Sequence, residues 1–197
     1  MKDHRESLQP GHIDHSWTLF IDRDGVINQK RDDDYVKTWE EFIFIPGSLE
    51  GLKYLATRLG RMIIVTNQRG VGRKIMTEAT LFYIHEQMMS RITEAEGRID
   101  KIYYCPHLEE DDHEQCRKPK PGMGLKAKAD FPEIDFRRSV MIGDALSDMK
   151  FGRKLGMKTV WVSDQPPRKE DQDLIDMQVN SIYEFAQWLG NKVKSQA

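Results

Sequence analysis

Three aspartates and a threonine stand where short apolar runs of this chain stop. Asp22 and Asp24 follow the run 17–21, Thr66 follows 62–65, and Asp144 follows 139–142 with Asp148 four residues on. Runs of this length, too short for helices of their own and ending in polar groups, read as buried strands. In an open parallel sheet the carboxyl ends of the strands are where ligands bind. Lys118 comes after a further run, 99–104, in a loop whose alternating prolines and lysines hold it extended and exposed. Carboxylates gathered on one rim repel each other unless a hard divalent cation holds them through oxygen. Magnesium with a phosphate substrate is the natural occupant, because that ion prefers a few carboxylates plus phosphate and water. Lys118 adds the fixed positive charge that such a substrate needs.

Other chemistries fit less well. Asp22-Arg-Asp24-Gly by itself is equally a solvated surface turn. A calcium loop would find its closing ligand in Asp33, but Gly25 stands at the fourth position instead of the sixth and Val26 replaces an oxygen ligand. Arg69, Gly70, Gly72 and Arg73 form a glycine-bearing turn with two cations. The glycine spacing fails for a Walker loop, and no Ser or Thr follows Lys74. His4, His12 and His15 lack both cysteines and helical spacing, so residues 1–16 read as a mobile arm and not a metal site.

The elements that must position these groups alternate in type. After the first strand, 29–41 reads as a loop over the site mouth, 42–45 as a short strand, and 48–59 as a helix capped by Ser48 and closed by Gly60. Thr77 caps a helix over 78–95 whose apolar face is Leu81, Ile84, Met88 and Ile92. Short helices over 123–129 and from about Ser147 to Leu155, a strand over 159–162 and a final helix over 181–189 complete the chain. Without repeat or linker, 17–197 is expected to be one parallel α/β domain. The 197 residues carry a formal charge of -2, which gives no footprint for nucleic acid or anionic membrane. Only Cys105 and Cys116 are present, with no leader or long apolar segment, so a soluble, monomeric, cytoplasmic protein with reduced thiols is expected.

Taken in order, Asp22-x-Asp24-Gly-Val, Thr66-Asn67-Gln68, Lys118 and Gly143-Asp144-x-x-x-Asp148 resemble the four motifs of the haloacid dehalogenase (HAD) superfamily of phosphatases, over roughly 17–162. The resemblance implies a Rossmann-like central parallel sheet flanked by helices. It makes Asp22 the nucleophile that takes the phosphoryl group and Asp24 the acid and then the base. It gives Thr66 a hydrogen bond to that group and Lys118 its neutralisation. Asp22, the Asp24 carbonyl and Asp144 would hold Mg2+, with Asp148 orienting them. The intervals between motifs leave no room for a separate cap domain, so the loops 29–41, 69–73 and 105–120 must roof the site.

Thr-Asn-Gln-x-Gly-Val, Cys-Pro-His and Cys-Arg-Lys-Pro-x-Pro-Gly-Met resemble, more finely, the capless subgroup that contains the heptose-1,7-bisphosphate and histidinol-phosphate phosphatases. That implies a small sugar phosphate as substrate, with histidinol phosphate or a nucleic-acid end as alternatives, and Asn67, Arg69, Arg73 and Arg117 as substrate-binding residues. Members of the subgroup bind structural Zn2+ through Cys-x-His and Cys-x-Cys. Cys105, His107 and Cys116 match three of the ligands, and Glu114 stands where the fourth belongs, so His113 or Glu114 would have to complete the site. A signalling receiver domain is the non-enzyme rival. It does not account for Asp24, which activates water, or for an acidic pair after the lysine.

Overall fold

The computed structural model describes residues 8–31, 34–113 and 115–190. The first apolar run is β1 (Thr18–Ile21), followed by α1 (Ser48–Ala56), β2 (Arg61–Asn67), the single turn α2 (Arg69–Gly72), α3 (Glu78–Glu94) and β3 (Lys101–Cys105). The second half adds α4 (Gly122–Asp130), β4 (Ser139–Gly143), α5 (Leu146–Leu155), β5 (Lys158–Val162), β6 (Met177–Val179) and α6 (Ile182–Gly190). The six strands form one sheet in the order β3-β2-β1-β4-β5-β6, and every pairing is parallel.

Alternation along the strands divides the core in two. Leu19 and Ile21 of β1, with Met62, Ile64, Val140, Ile142 and Val160, meet Leu52, Leu55, Leu81, Ile84, Met88 and Phe185 of α1, α3 and α6. Phe20, Ile63, Val65 and Met141 point the other way and meet Met123, Ala127 and Phe151 of α4 and α5. A strand buried on both faces needs apolar residues at successive positions, which is why these runs are continuous and not alternating. The chain reverses its direction of winding between β1 and β4, and a crevice opens there at the strand ends.

Several sequence expectations change in detail. Thr77 does cap α3, its side chain accepting from the Thr80 amide. Ser48 does not cap α1: it is the first helical residue, and the left-handed Gly47 (φ 81°) precedes it in the turn started by Pro46. An N-cap residue has extended backbone, which that turn does not allow. α1 ends at Ala56, before Gly60. Residues 42–45 make only an isolated bridge between Asn28 and Phe44, because Phe42 and Phe44 are engaged in a cluster with Trp39. The second half of the expected arm is docked, with Ile13 buried in the core; residues 1–7 lie outside the described residues. No helix among the described residues is long and apolar enough to cross a membrane.

Candidate active site

β1 ends where the site begins. The Asp22 amide donates to the Ile142 carbonyl of β4 (2.9 Å), so the carboxylate is fixed at the reversal point of the sheet. Its Oδ1 accepts from the Arg23 amide at 2.8 Å and lies 2.9 Å from Lys118 Nζ. The same ammonium is 2.7 Å from Asp148 Oδ1 and donates to the Val65 carbonyl at 2.7 Å. Of the three protons a lysine can give, one goes to Val65, and the ammonium stands between the two carboxylates. Lys118 is thereby locked between β1, β2 and α5, although it arrives on a loop. Asp148 accepts the Ala145 amide at the start of α5 (3.0 Å).

Asp22, Asp144 and Asp148 bring ligand oxygens within 4.8 Å of one another. Asp144 Oδ2 is 2.7 Å from Lys30 Nζ, and Asp144 Oδ1 is buried with no hydrogen-bond partner among the described residues. Gly25, at φ 85°, leaves the floor open; a Cβ there would stand 2.4 Å from Asp144 Oδ2. The acids show a shortage of positive charge. Burial pushes the Asp22 carboxyl up to about 6, Lys118 opposes the rise, and Asp148 and Asp24 add to it. Asp144 and Asp148 are raised as well, first by burial. Burial also disfavours the charge on Lys118, but Asp148 and Asp22 outweigh it and hold the pKa above its ordinary value. An orphaned carboxylate oxygen in a group of crowded, buried acids fits a divalent cation with oxygen ligands.

Asp24 has different surroundings. Its carboxylate is gripped by Arg23 Nη2 (2.8 and 2.9 Å), Asn28 Nδ2 (2.9 Å) and Gln68 Nε2 (3.0 Å). Burial disfavours its charge, yet Arg23, Asn28 and Gln68 together hold its pKa below the ordinary carboxylate value. The resemblance gives Asp24 the part of an acid first; in the structure it is an ion-paired carboxylate. Arg23, whose neighbours in the motif suggest only a spacer, is the reason. It is 1 % exposed and backed by His85 Nε2 of α3 at 3.2 Å. Nothing in the local pattern distinguishes such an arginine from a solvated one, and His85 is 62 residues away from it. Burial and then Arg23 push the His85 ring down to about 3, so it is neutral.

Thr66 is buried at the end of β2, and its hydroxyl accepts from Gln68 Nε2 (2.8 Å), leaving its proton to donate. Asn67 spends its amide oxygen and one of its two amide hydrogens on the lysine loop. Its Oδ1 accepts the Lys118 amide (2.9 Å) and its Nδ2 donates to the Lys118 carbonyl (3.1 Å), so it registers the lysine loop against β2. Arg69, Arg73 and Arg117 line the cavity of about 460 Å³ above the acids, together with Lys30, Arg31 and Tyr35. Arg73 lies over the Tyr35 ring. Arg117 Nη1 is buried without a partner among the described residues, and burial, followed by the nearby Arg69, lowers its pKa. Two guanidiniums held close with an unused donor form a place for an anion.

The cysteine loop departs from expectation. Cys105 and Cys116 are joined in a disulfide, so the expected reduced thiols are not present. Their Cα atoms are 5.5 Å apart, since the loop between them folds back onto the end of β3, and that is a bonding separation. The zinc set of Cys105, His107 and Cys116 with His113 or Glu114 does not assemble among the described residues. The third group beside the two sulfurs is Asp112, His113 is exposed, and Glu114 lies outside the described residues.

A family model described as HAD-hydrolase-like matches residues 115–184. The chain is 40% identical over 153 residues to a D-glycero-alpha-D-manno-heptose-1,7-bisphosphate 7-phosphatase of Campylobacter jejuni, a match that covers 78% of this chain and 86% of that one. A protein of the same name from Mycobacterium tuberculosis is 33% identical over 178 residues, covering 90% and 93%. Among solved structures, a D,D-heptose 1,7-bisphosphate phosphatase from B. bronchiseptica, complexed with magnesium and phosphate, superposes with a TM-score of 0.78 at 28% identity. It covers 89% of this chain and 99% of its own.

Proposed function

The chain belongs to the HAD superfamily of phosphatases, among the relatives of the heptose-1,7-bisphosphate phosphatases, and from that premise we propose that it removes the 7-phosphate of D-glycero-D-manno-heptose 1,7-bisphosphate. Asp22 Oδ attacks phosphorus, forming an aspartyl-phosphate as the bond from phosphorus to the C7 oxygen breaks. Asp24 delivers a proton to the departing alkoxide. Asp24 then takes a proton from water, whose oxygen attacks phosphorus and releases inorganic phosphate and free Asp22. For the first half Asp24 must turn from Arg23 towards the phosphoryl group and be protonated. Asp22, Asp144 and the Asp24 carbonyl would hold magnesium, which when bound offsets the charge of the acids and the phosphate. Lys118, held between Val65, Asp22 and Asp148, acts as fixed positive charge near the loose transition state.

The observation that carries the substrate reading is the unpartnered Arg117 Nη1 beside Arg69 in the cavity roof. A bisphosphate supplies a second anion for that place, which a monophosphate without another acidic group does not. The test is kcat/KM with magnesium for the α and β anomers of the bisphosphate, for histidinol phosphate and for a set of sugar monophosphates. The bisphosphate is expected to lead by at least roughly tenfold, the value of one charge-assisted contact. Equal values for a monophosphate would overturn the substrate assignment.

A further inference from the structure

The loop 105–120 brings Arg117 and Lys118 to the site, and its centre holds a buried carboxylate. Asp112 is 3 % exposed. Its Oδ1 accepts the Cys116 amide at 2.9 Å, and its Oδ2 accepts the Arg117 amide at 3.1 Å. Lys120 Nζ pairs with that same Oδ2 at 3.0 Å and is 3.3 Å from the Asp112 carbonyl. Two consecutive amides immediately before Lys118 thus converge on one anion, and a lysine from the far end of the loop neutralises it. The next amide in line, that of Lys118, is taken by Asn67. The backbone that presents both substrate-facing cations is therefore fixed through three successive N–H groups.

A tetrahedral zinc site needs four donors, with its sulfurs as thiolates. Here two of the three donors brought together, the sulfurs of Cys105 and Cys116, are bonded to each other. The third, Asp112, already has two amides and an ammonium. Lys120 supplies the positive charge that a metal would otherwise bring. These residues do not fit a structural metal; they fit a replacement for one.

We propose that Asp112 is a positioning residue whose buried carboxylate, instead of a metal ion, holds the loop in the shape that presents Arg117 and Lys118 to the substrate. This rests on the phosphatase reading of the site. Full-length protein purified without chelator should carry clearly substoichiometric zinc, both as isolated and after reduction with a phosphine. One zinc per chain in either state overturns the proposal. Asp112→Asn keeps one acceptor but loses the charge and one amide partner. With an aryl phosphate as substrate and inorganic phosphate as inhibitor, it should raise KM and the phosphate Ki by about tenfold through Arg117, with kcat changed much less, because Lys118 keeps Asn67, Val65, Asp22 and Asp148 as partners. A lowered melting temperature with KM and Ki at wild-type values would show a merely structural role and refute the proposal. Lys120→Met, which removes only the counter-charge, should move KM and Ki the same way by a smaller factor; it keeps the test open if Asp112→Asn does not fold. Asp22→Asn is the control: turnover surviving in it sinks the phosphatase reading itself, whereas a dead Asp22→Asn beside an unaffected Asp112→Asn sinks only this inference.

Discussion

Asp22 and Asp24 are one residue apart in sequence and face opposite electrostatic problems. Asp22 sits among buried acids with Lys118 as its own ion-pair partner, while Asp24 has Arg23 bound to both its oxygens. This asymmetry suits a nucleophile that gains from added positive charge and an acid-base group that must be released before it can work. Asp22→Asn should abolish magnesium-dependent hydrolysis of an aryl phosphate while leaving the circular dichroism spectrum unchanged. In Asp24→Asn, phosphoryl-enzyme formed from a substrate with a good leaving group should persist, seen as a burst followed by slow release; an unchanged steady-state rate would refute its role as base. Lys118→Met removes the charge shared by Asp22 and Asp148. It should lower kcat by roughly 10²–10³, the usual effect of losing one preorganised electrostatic contact.

At the level of elements, the site depends on a tight turn after β1 and on how firmly the neighbouring helices are seated. Gly25 combines a positive φ with a close approach to Asp144. Gly25→Ala would pay about 1–2 kcal/mol for left-handed backbone, and its methyl group would displace the Asp144 carboxylate. The expected result is a weaker apparent affinity for magnesium in the activity assay together with a lower urea midpoint. α3 is a separate case, because its cap, Thr77, is not among the residues that line the cavity. Thr77→Ala should cost about 1 kcal/mol of stability, read by urea unfolding, with kcat/KM unchanged.

For the molecule as a whole, the two cores on either face of the sheet set the stability, and one buried histidine links stability to pH. The folded His85 has its pKa pushed down to about 3, against 6.5 for the unfolded ring. Its contribution is therefore fully present above pH 6.5 and is lost as the pH falls from there towards 3. The stability difference between wild type and His85→Leu should change by up to about 1.4 kcal/mol per pH unit between pH 6 and 4, in favour of the variant as the pH drops. A difference independent of pH would show that the ring is not buried as a neutral group. The same long-range packing marks the boundary of what could be read without coordinates. The strands β1 to β5, the capped helix α3 and the acids at the strand ends were legible, because each depends on a local apolar run and the polar residue that stops it. β6 was not, since three residues have no pattern of their own and become a strand only by pairing with β5. Arg23 and His85 came together across distant elements, Asn67 turned out to hold Lys118, and Cys105 and Cys116 were joined where thiols were expected. By itself the sequence determined which polar groups the strand ends deliver, because each is set by the local apolar run that it stops. Only the tertiary structure decided which of their neighbours hold them, because burial and ion pairing are properties of residues that meet in space.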